Sequence, residues 1–170
     1  MEYFDILDRN GCLTGETASK GTTLADNQYY LGVHAYIYNS NHEFLLQQRA
    51  YSKNFLPGGW DIHMGHVIAG ETSLEAILRE VQEEIGLLPN KIDPCHIGRV
   101  VWEQYNHMID IYSIQTDFEM KNLVMQQEEV IGLSKITKEE MASLVSKMDY
   151  RPNEYRSIVL EYLHRMNQKI

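Results

Sequence analysis

The chain has 170 residues and a mass of 19.8 kDa, room for one domain with a sizeable core. Its 44% apolar and 23% charged residues exclude disordered and collagen-like classes. Asp plus Glu number 24 against 15 for Lys plus Arg, a formal charge of −9 and the wrong sign for gripping long nucleic acids through their phosphates.

The two cysteines, Cys12 and Cys95, form no CxxC pair, so neither a disulfide framework nor a zinc knuckle is indicated. No apolar run approaches the roughly 18 residues needed to span a membrane. The opening MEYFDILDRN lacks the basic and then apolar regions of a signal peptide, so the expected setting is a reducing cytoplasm.

In chain order, a short strand at 3–7 meets a turn at Asp8-Arg9-Asn10-Gly11 and a polar stretch, a hairpin or arm covering residues 1–28. Residues 29–38 and 43–48 are rich in aromatic and branched side chains and read as strands joined by a loop at 39–42. Phe55 to Trp60 is a turn into another short extended piece. A helix is expected over 72–85, opened by a Thr72/Glu75 capping box and closed by Gly86. Strands follow at 97–105, 108–116 and 130–133. A second helix follows Thr137 with its own capping box at Glu140, and a last amphipathic helix covers 153–170. The class is therefore mixed α+β, a sheet between helices.

The informative stretch is GHVIAGETSLEAILREVQEEIGL, residues 65–87. On a helical wheel Leu74, Ile77, Leu78, Val81 and Ile85 fall within about 100° of one another and form the apolar stripe. Glu80, Glu83 and Glu84 are read as one patch on the opposite side, bordered by Arg79. An acidic face of this kind is ordinarily a solvated surface. Solvated faces, however, mix Lys among Glu at i+4 spacing to avoid repulsion, and here three carboxylates crowd beside one arginine. A hard divalent cation is the natural compensation, since such ions take carboxylate oxygens.

This stretch resembles the Nudix box, G-x5-E-x7-R-E-U-x-E-E-x-G-U with U a bulky aliphatic residue. Gly65, Glu71, Arg79, Glu80, Glu83, Glu84 and Gly86 occupy the fixed positions, and Val81 and Leu87 the aliphatic ones. The run FLLQQRAYSKNFLPGGWDI, residues 44–62, and the DRNG turn with Lys20-Gly21 are similar to the branch of Nudix proteins related to isopentenyl-diphosphate isomerase.

The resemblance implies a single Nudix domain over 1–170, folded as an α/β/α sandwich with a mixed sheet, whose box at 65–87 forms a loop–helix–loop. It implies that Glu80, Glu83 and Glu84 bind Mg2+ or Mn2+, that Glu80, Glu84 and Arg79 carry catalysis, and that the Gly65 carbonyl is a further ligand. Arg79 and Glu71 are expected to hold the carboxylates in place. Arg49 and Lys53 are implied to approach the diphosphate of a small-molecule substrate, and Glu128 or Glu129 to add a ligand or base. The implied activity is metal-dependent pyrophosphohydrolysis of a nucleoside di- or triphosphate or related derivative. A ligand-sensing domain without turnover and an isoprenoid-diphosphate hydrolase stay open as alternatives. The isomerase reaction is excluded, because no cysteine lies between Trp60 and Gly65. His63 and His66 are expected as hydrogen-bonded loop histidines and His34 as a packing residue. Dimers are common among such proteins, and the sequence leaves a homodimer or a monomer open.

Overall fold

In the computed structural model, which describes residues 2–166, the chain opens with a hairpin of β1 (Tyr3–Leu7) and β2 (Leu13–Ser19). The strands β3 (Tyr30–Tyr38), β4 (Phe44–Arg49), β5 (Trp60–Asp61) and β6 (His63–His66) then lead into α1 (Ser73–Ile85). The remainder comprises β7 (Pro94–Trp102), β8 (His107–Gln115), β9 (Val130–Ile136), α2 (Lys138–Ser146) and α3 (Asn153–Arg165). Residues 167–170 of the expected last helix lie outside the described residues.

Strand β3 organises the sheet. One side pairs in parallel with β8 along its whole length, from Tyr30↔His107 to Tyr38↔Gln115. The other side is shared: β4 pairs with it at Tyr38↔Phe44, and β6 runs antiparallel from Gly32↔His66 to Ala35↔His63. The loop at 39–42 is thus the root of a fork rather than of a long hairpin. After it β4 turns away to pair with β5 and β9. β7 pairs antiparallel with β8 at the far edge.

Alternation along β3 assigns the layers. Val33, Ala35 and Ile37 face α1 and are buried with Ala76, Ile77, Val81 and Ile85. Tyr36 and Tyr38 face the other way and are buried with Met141 and Val145 of α2 and Tyr155, Val159 and Leu163 of α3. Each buried aliphatic side chain contributes about 1.5–3 kcal/mol, so α1 is anchored chiefly by Ile77, Val81 and Ile85. The result is a mixed sheet between helical layers. The hairpin packs Phe4 and Ile6 against Tyr30. No helix among the described residues is long and apolar enough to cross a membrane.

Several expected boundaries move. The strand placed at 97–105 starts at Pro94, a residue tolerated at a strand's beginning, and ends at Trp102, because residues 103–105 form a 3-10 turn. β9 runs on to Ile136 because its backbone is taken up by β4 through Phe44↔Ile136, despite the weak strand character of Gly132, Ser134 and Lys135. Leu74, placed on the buried stripe, sits in the first turn and is 44% exposed, while Ala76 is buried in its stead.

Candidate active site

The loop and helix after β6 are fixed at both ends. The Thr72 side chain accepts from the Glu75 amide and Glu75 from that of Thr72, and Gly86 closes α1 with φ +74°. Arg79 is the hub. Its Nε and Nη2 donate to Glu71 at 2.8 and 3.0 Å, its Nη1 to Glu80 at 2.9 Å and Glu83 at 3.2 Å, and its Nη2 to the His66 carbonyl at 3.0 Å. Glu71 also accepts from the Ile68 amide at 3.1 Å. A planar guanidinium with five donors can hold several oxygens at once, so one side chain ties the loop, β6 and the helix together.

Glu80 lies against the backbone of β6. A Cβ at Gly65 would come within 2.0 Å of the Glu80 Cδ, so this strand position has no room for a side chain. Burial raises the Glu80 carboxyl from the ordinary 4.5 to about 7. Arg79 opposes the rise, and Glu84 and Glu83 add to it. Loss of solvation is the main cause, so the ionised form of Glu80 is the costly one and a cation beside it would favour that form.

The three glutamates are not one outward patch. Glu83 is half-exposed, whereas Glu84 is 3% exposed and shares a 3.0 Å contact with the fully buried His63 Nδ1. Glu84 follows Ile77 by seven residues, about 20° short of two full turns, which places it at the edge of the apolar stripe and corrects the expected opposite-face position. His63 and His66 lie on β6 rather than in a loop, because β6 is recruited by β3.

Among the described residues no three His, Cys, Asp or Glu side chains converge as a closed metal site. Arg79 engages Glu80 and Glu83, and His63 engages Glu84. The donor set still fits Mg2+ or Mn2+ in an open site. Mg2+ characteristically uses one or two carboxylates and completes its shell with water and substrate phosphates, and an ion beside the buried Glu80 would favour its ionised form against the cost of burial.

Beside the box opens a pocket of about 700 Å³ that Gly65, Arg79, Glu80 and Glu83 line on one side. Arg49, Lys53 and Glu129 line it on another, so the structure brings the expected basic residues to the carboxylates' pocket. Lys53 forms an ion pair with Glu129, and the Arg49 Nε donates to the Phe55 carbonyl at 2.9 Å. Glu128 is exposed and does not line the pocket. His66 and His107 also line it, their Nε2 atoms 2.9 Å apart, and burial holds His66 down at about 3.

The floor carries groups that sequence reasoning missed. His34, expected to serve packing, is buried among polar partners: Arg151 Nη1 at 2.7 Å and the Tyr155 hydroxyl at 2.9 Å from its Nδ1. Arg151 in turn holds both oxygens of Asp61 at 2.7–2.8 Å, with both side chains fully buried. Nothing local marks Arg151 or Asp61, which are 90 residues apart and meet only in the folded chain.

A layered sandwich with an arginine-clamped, glutamate-bearing loop–helix at its pocket defines the NUDIX domain class, and the NUDIX domain family matches residues 28–155. The chain belongs to the Nudix hydrolase family. It is 35% identical over 154 residues to an uncharacterized Nudix hydrolase of Listeria monocytogenes, a match covering 89% of each chain. It is 36% identical over 93 residues to an isopentenyl-diphosphate Delta-isomerase of Paenarthrobacter aurescens, covering 54% of this chain and 50% of that one. A crystal structure of a MutT protein from Methanosarcina mazei superposes with a TM-score of 0.61 at 27% identity, covering 83% of this chain and 96% of that one. Nudix hydrolases generally use divalent metal ions.

Proposed function

We propose that the chain hydrolyses a diphosphate bond in a nucleoside di- or triphosphate or a related derivative, through attack of water on phosphorus, with Mg2+ or Mn2+ bound at Glu80, Glu83 and Glu84. The observation that carries this reading is the buried Glu80 carboxyl, raised to about 7 and lining a pocket that also holds Arg49 and Lys53. A divalent cation there would shield the diphosphate, stabilise charge on the phosphorus oxygens and acidify bound water.

The chain's own groups supply the rest. Arg79 is a positioning residue: it holds the Glu80 Oε1 and leaves Oε2 for metal or water. His63 fixes one oxygen of Glu84 in the same way. Lys53, ion-paired with Glu129 in the pocket, can turn its ammonium to a phosphate oxygen, which frees the Glu129 carboxylate. Isomerisation of an alkene is not part of this reading, since Cys12 and Cys95 are both exposed and neither lines the pocket.

The test is hydrolysis of a panel of nucleoside di- and triphosphates, sugar nucleotides and isoprenoid diphosphates with Mg2+ and with Mn2+, read as release of phosphate or pyrophosphate and, for the sugar nucleotides, of nucleoside monophosphate and sugar phosphate. Turnover of a nucleotide is expected. Absence of turnover across the panel with both ions would overturn the reading.

A further inference from the structure

The pocket has a second polar element, set apart from the carboxylates. Gly32 and His34 of β3 lie on its floor, and Phe55, Trp102 and Tyr105 line one side. His34 is 4% exposed, and its Nδ1 faces Arg151 Nη1 at 2.7 Å. A guanidinium has donors only and keeps its proton. The His34 Nδ1 must therefore be bare and accept, which leaves the proton on Nε2. Burial, followed by the charge of Arg151, holds the ring well below its ordinary pKa, so this tautomer stays neutral.

The tautomer is locked from behind. Asp61 fixes Arg151 through both carboxylate oxygens, the Tyr155 ring lies 4.8 Å from the guanidinium, and the Tyr155 hydroxyl sits 2.9 Å from the His34 Nδ1 and 3.1 Å from the Tyr36 hydroxyl. Among the described residues no acceptor takes the His34 Nε2–H, and the ring lines the pocket. The aromatic side is equally defined: Phe55 and Trp102 meet edge to face at 5.9 Å, and Trp102 and Tyr105 at 4.9 Å.

We propose that His34 is a specificity-determining residue that donates its Nε2–H to a carbonyl oxygen or ring nitrogen of a heteroaromatic base held against Phe55, Trp102 and Tyr105. The inference deepens the proposed diphosphate hydrolysis and rests on it for the placement of the phosphates near Glu80 and Lys53. A prenyl chain would strand a desolvated donor, whereas a nucleobase satisfies it and presents a flat face to the rings. The donor is uncharged and fixed in direction, so it selects for an acceptor and does nothing for the diphosphate.

Two variants separate the two faces of the ring. His34→Asn keeps an oxygen acceptor near the Nδ1 position for Arg151 and removes the pocket donor. His34→Gln can place an amide nitrogen near the Nε2 position. Binding of methylene-bridged, non-hydrolysable nucleoside diphosphates, isopentenyl diphosphate and inorganic pyrophosphate would be measured by calorimetry with Mg2+, alongside kcat and KM for the hydrolysable forms. His34→Asn is expected to weaken nucleotide binding roughly tenfold, to leave isopentenyl diphosphate and pyrophosphate within about twofold, and to be partly rescued by His34→Gln. Nitrogen-15 spectra of the wild-type imidazoles need no folded variant. They should show His34 protonated at Nε2, with that resonance shifting on addition of nucleotide and staying in place with pyrophosphate.

Equal losses for all three ligand classes, no loss for nucleotides, an unresponsive His34 resonance, or no nucleotide binding to the wild type would each overturn the proposal. Nucleotide binding that depends on His34 without turnover would instead uphold it and sink the hydrolase reading. Turnover with selectivity indifferent to His34 would do the reverse.

Discussion

Glu80 is the residue on which burial, charge and chemistry converge. Glu80→Gln keeps its shape and removes its charge, and is expected to lower kcat by a factor on the order of 10² or more on the best substrate. The same variant has a signature in stability. The folded carboxyl holds its proton up to about pH 7, against 4.5 for the ordinary group. Between those values the folded state binds more protons than the unfolded one, so the metal-free wild type loses stability as pH rises through that window, by up to about 3 kcal/mol. Urea titrations in EDTA at several pH values should show that slope in the wild type and a flatter one in Glu80→Gln; parallel slopes would remove Glu80 as its source. Lys53 gives the complementary case. It faces the pocket as a compact charge paired with Glu129, so Lys53→Ala should raise KM for every diphosphate by a similar factor and leave discrimination among bases nearly unchanged. An effect confined to one base would show that Lys53 reads the base.

At the scale of elements, the fit between β6 and α1 sets the site. Gly65 pairs with Val33 across the sheet and cannot back away, while a Cβ there would overlap the Glu80 carboxyl. Gly65→Ala should displace Glu80 and reduce turnover by an order of magnitude or more, with a smaller change in the unfolding midpoint; wild-type kcat in this variant would show that the close approach is dispensable. The sequence made much of this element legible. Both capping boxes, the left-handed Gly86 and the glutamate spacing are local patterns that need no tertiary context. What it concealed is tertiary. The departure of β4 from β3 and the insertion of β6 depend on pairings between distant segments. By polarity alone Glu84 groups with its acidic neighbours, which masks its position on the wheel beside Ile77. Only the presence of His63 on β6 makes its burial tolerable. His34 likewise reads as one polar residue in an apolar strand until Arg151, Asp61 and Tyr155 are brought around it.

Across the whole molecule two charge balances bear on stability, one closed and one open. The closed one is Asp61–Arg151, which joins β5 to the segment just before α3 beneath the pocket, with both side chains fully buried. Asp61→Asn strands a guanidinium that cannot shed its proton, and should destabilise the fold by about 3–5 kcal/mol in urea unfolding; a loss below about 1 kcal/mol would mean that water or another group takes over. The open one is the carboxylate cluster of a protein with formal charge −9, where a diphosphate would be repelled unless a cation intervenes. A ligand that binds only the folded state stabilises it by mass action, about 2.7 kcal/mol at a hundred times its Kd, or roughly 5–10 °C in midpoint for a domain of this size. Thermal unfolding in EDTA and in millimolar Mg2+ or Mn2+ should therefore separate by several degrees. The gap should close in a variant with Glu80, Glu83 and Glu84 all changed to Gln, because the cation then has no charged oxygens to hold it. Equal midpoints in the wild type, together with no cation at these glutamates in a metal-soaked crystal, would mean that the fold itself tolerates the clustered carboxylates and that the patch is not a metal site.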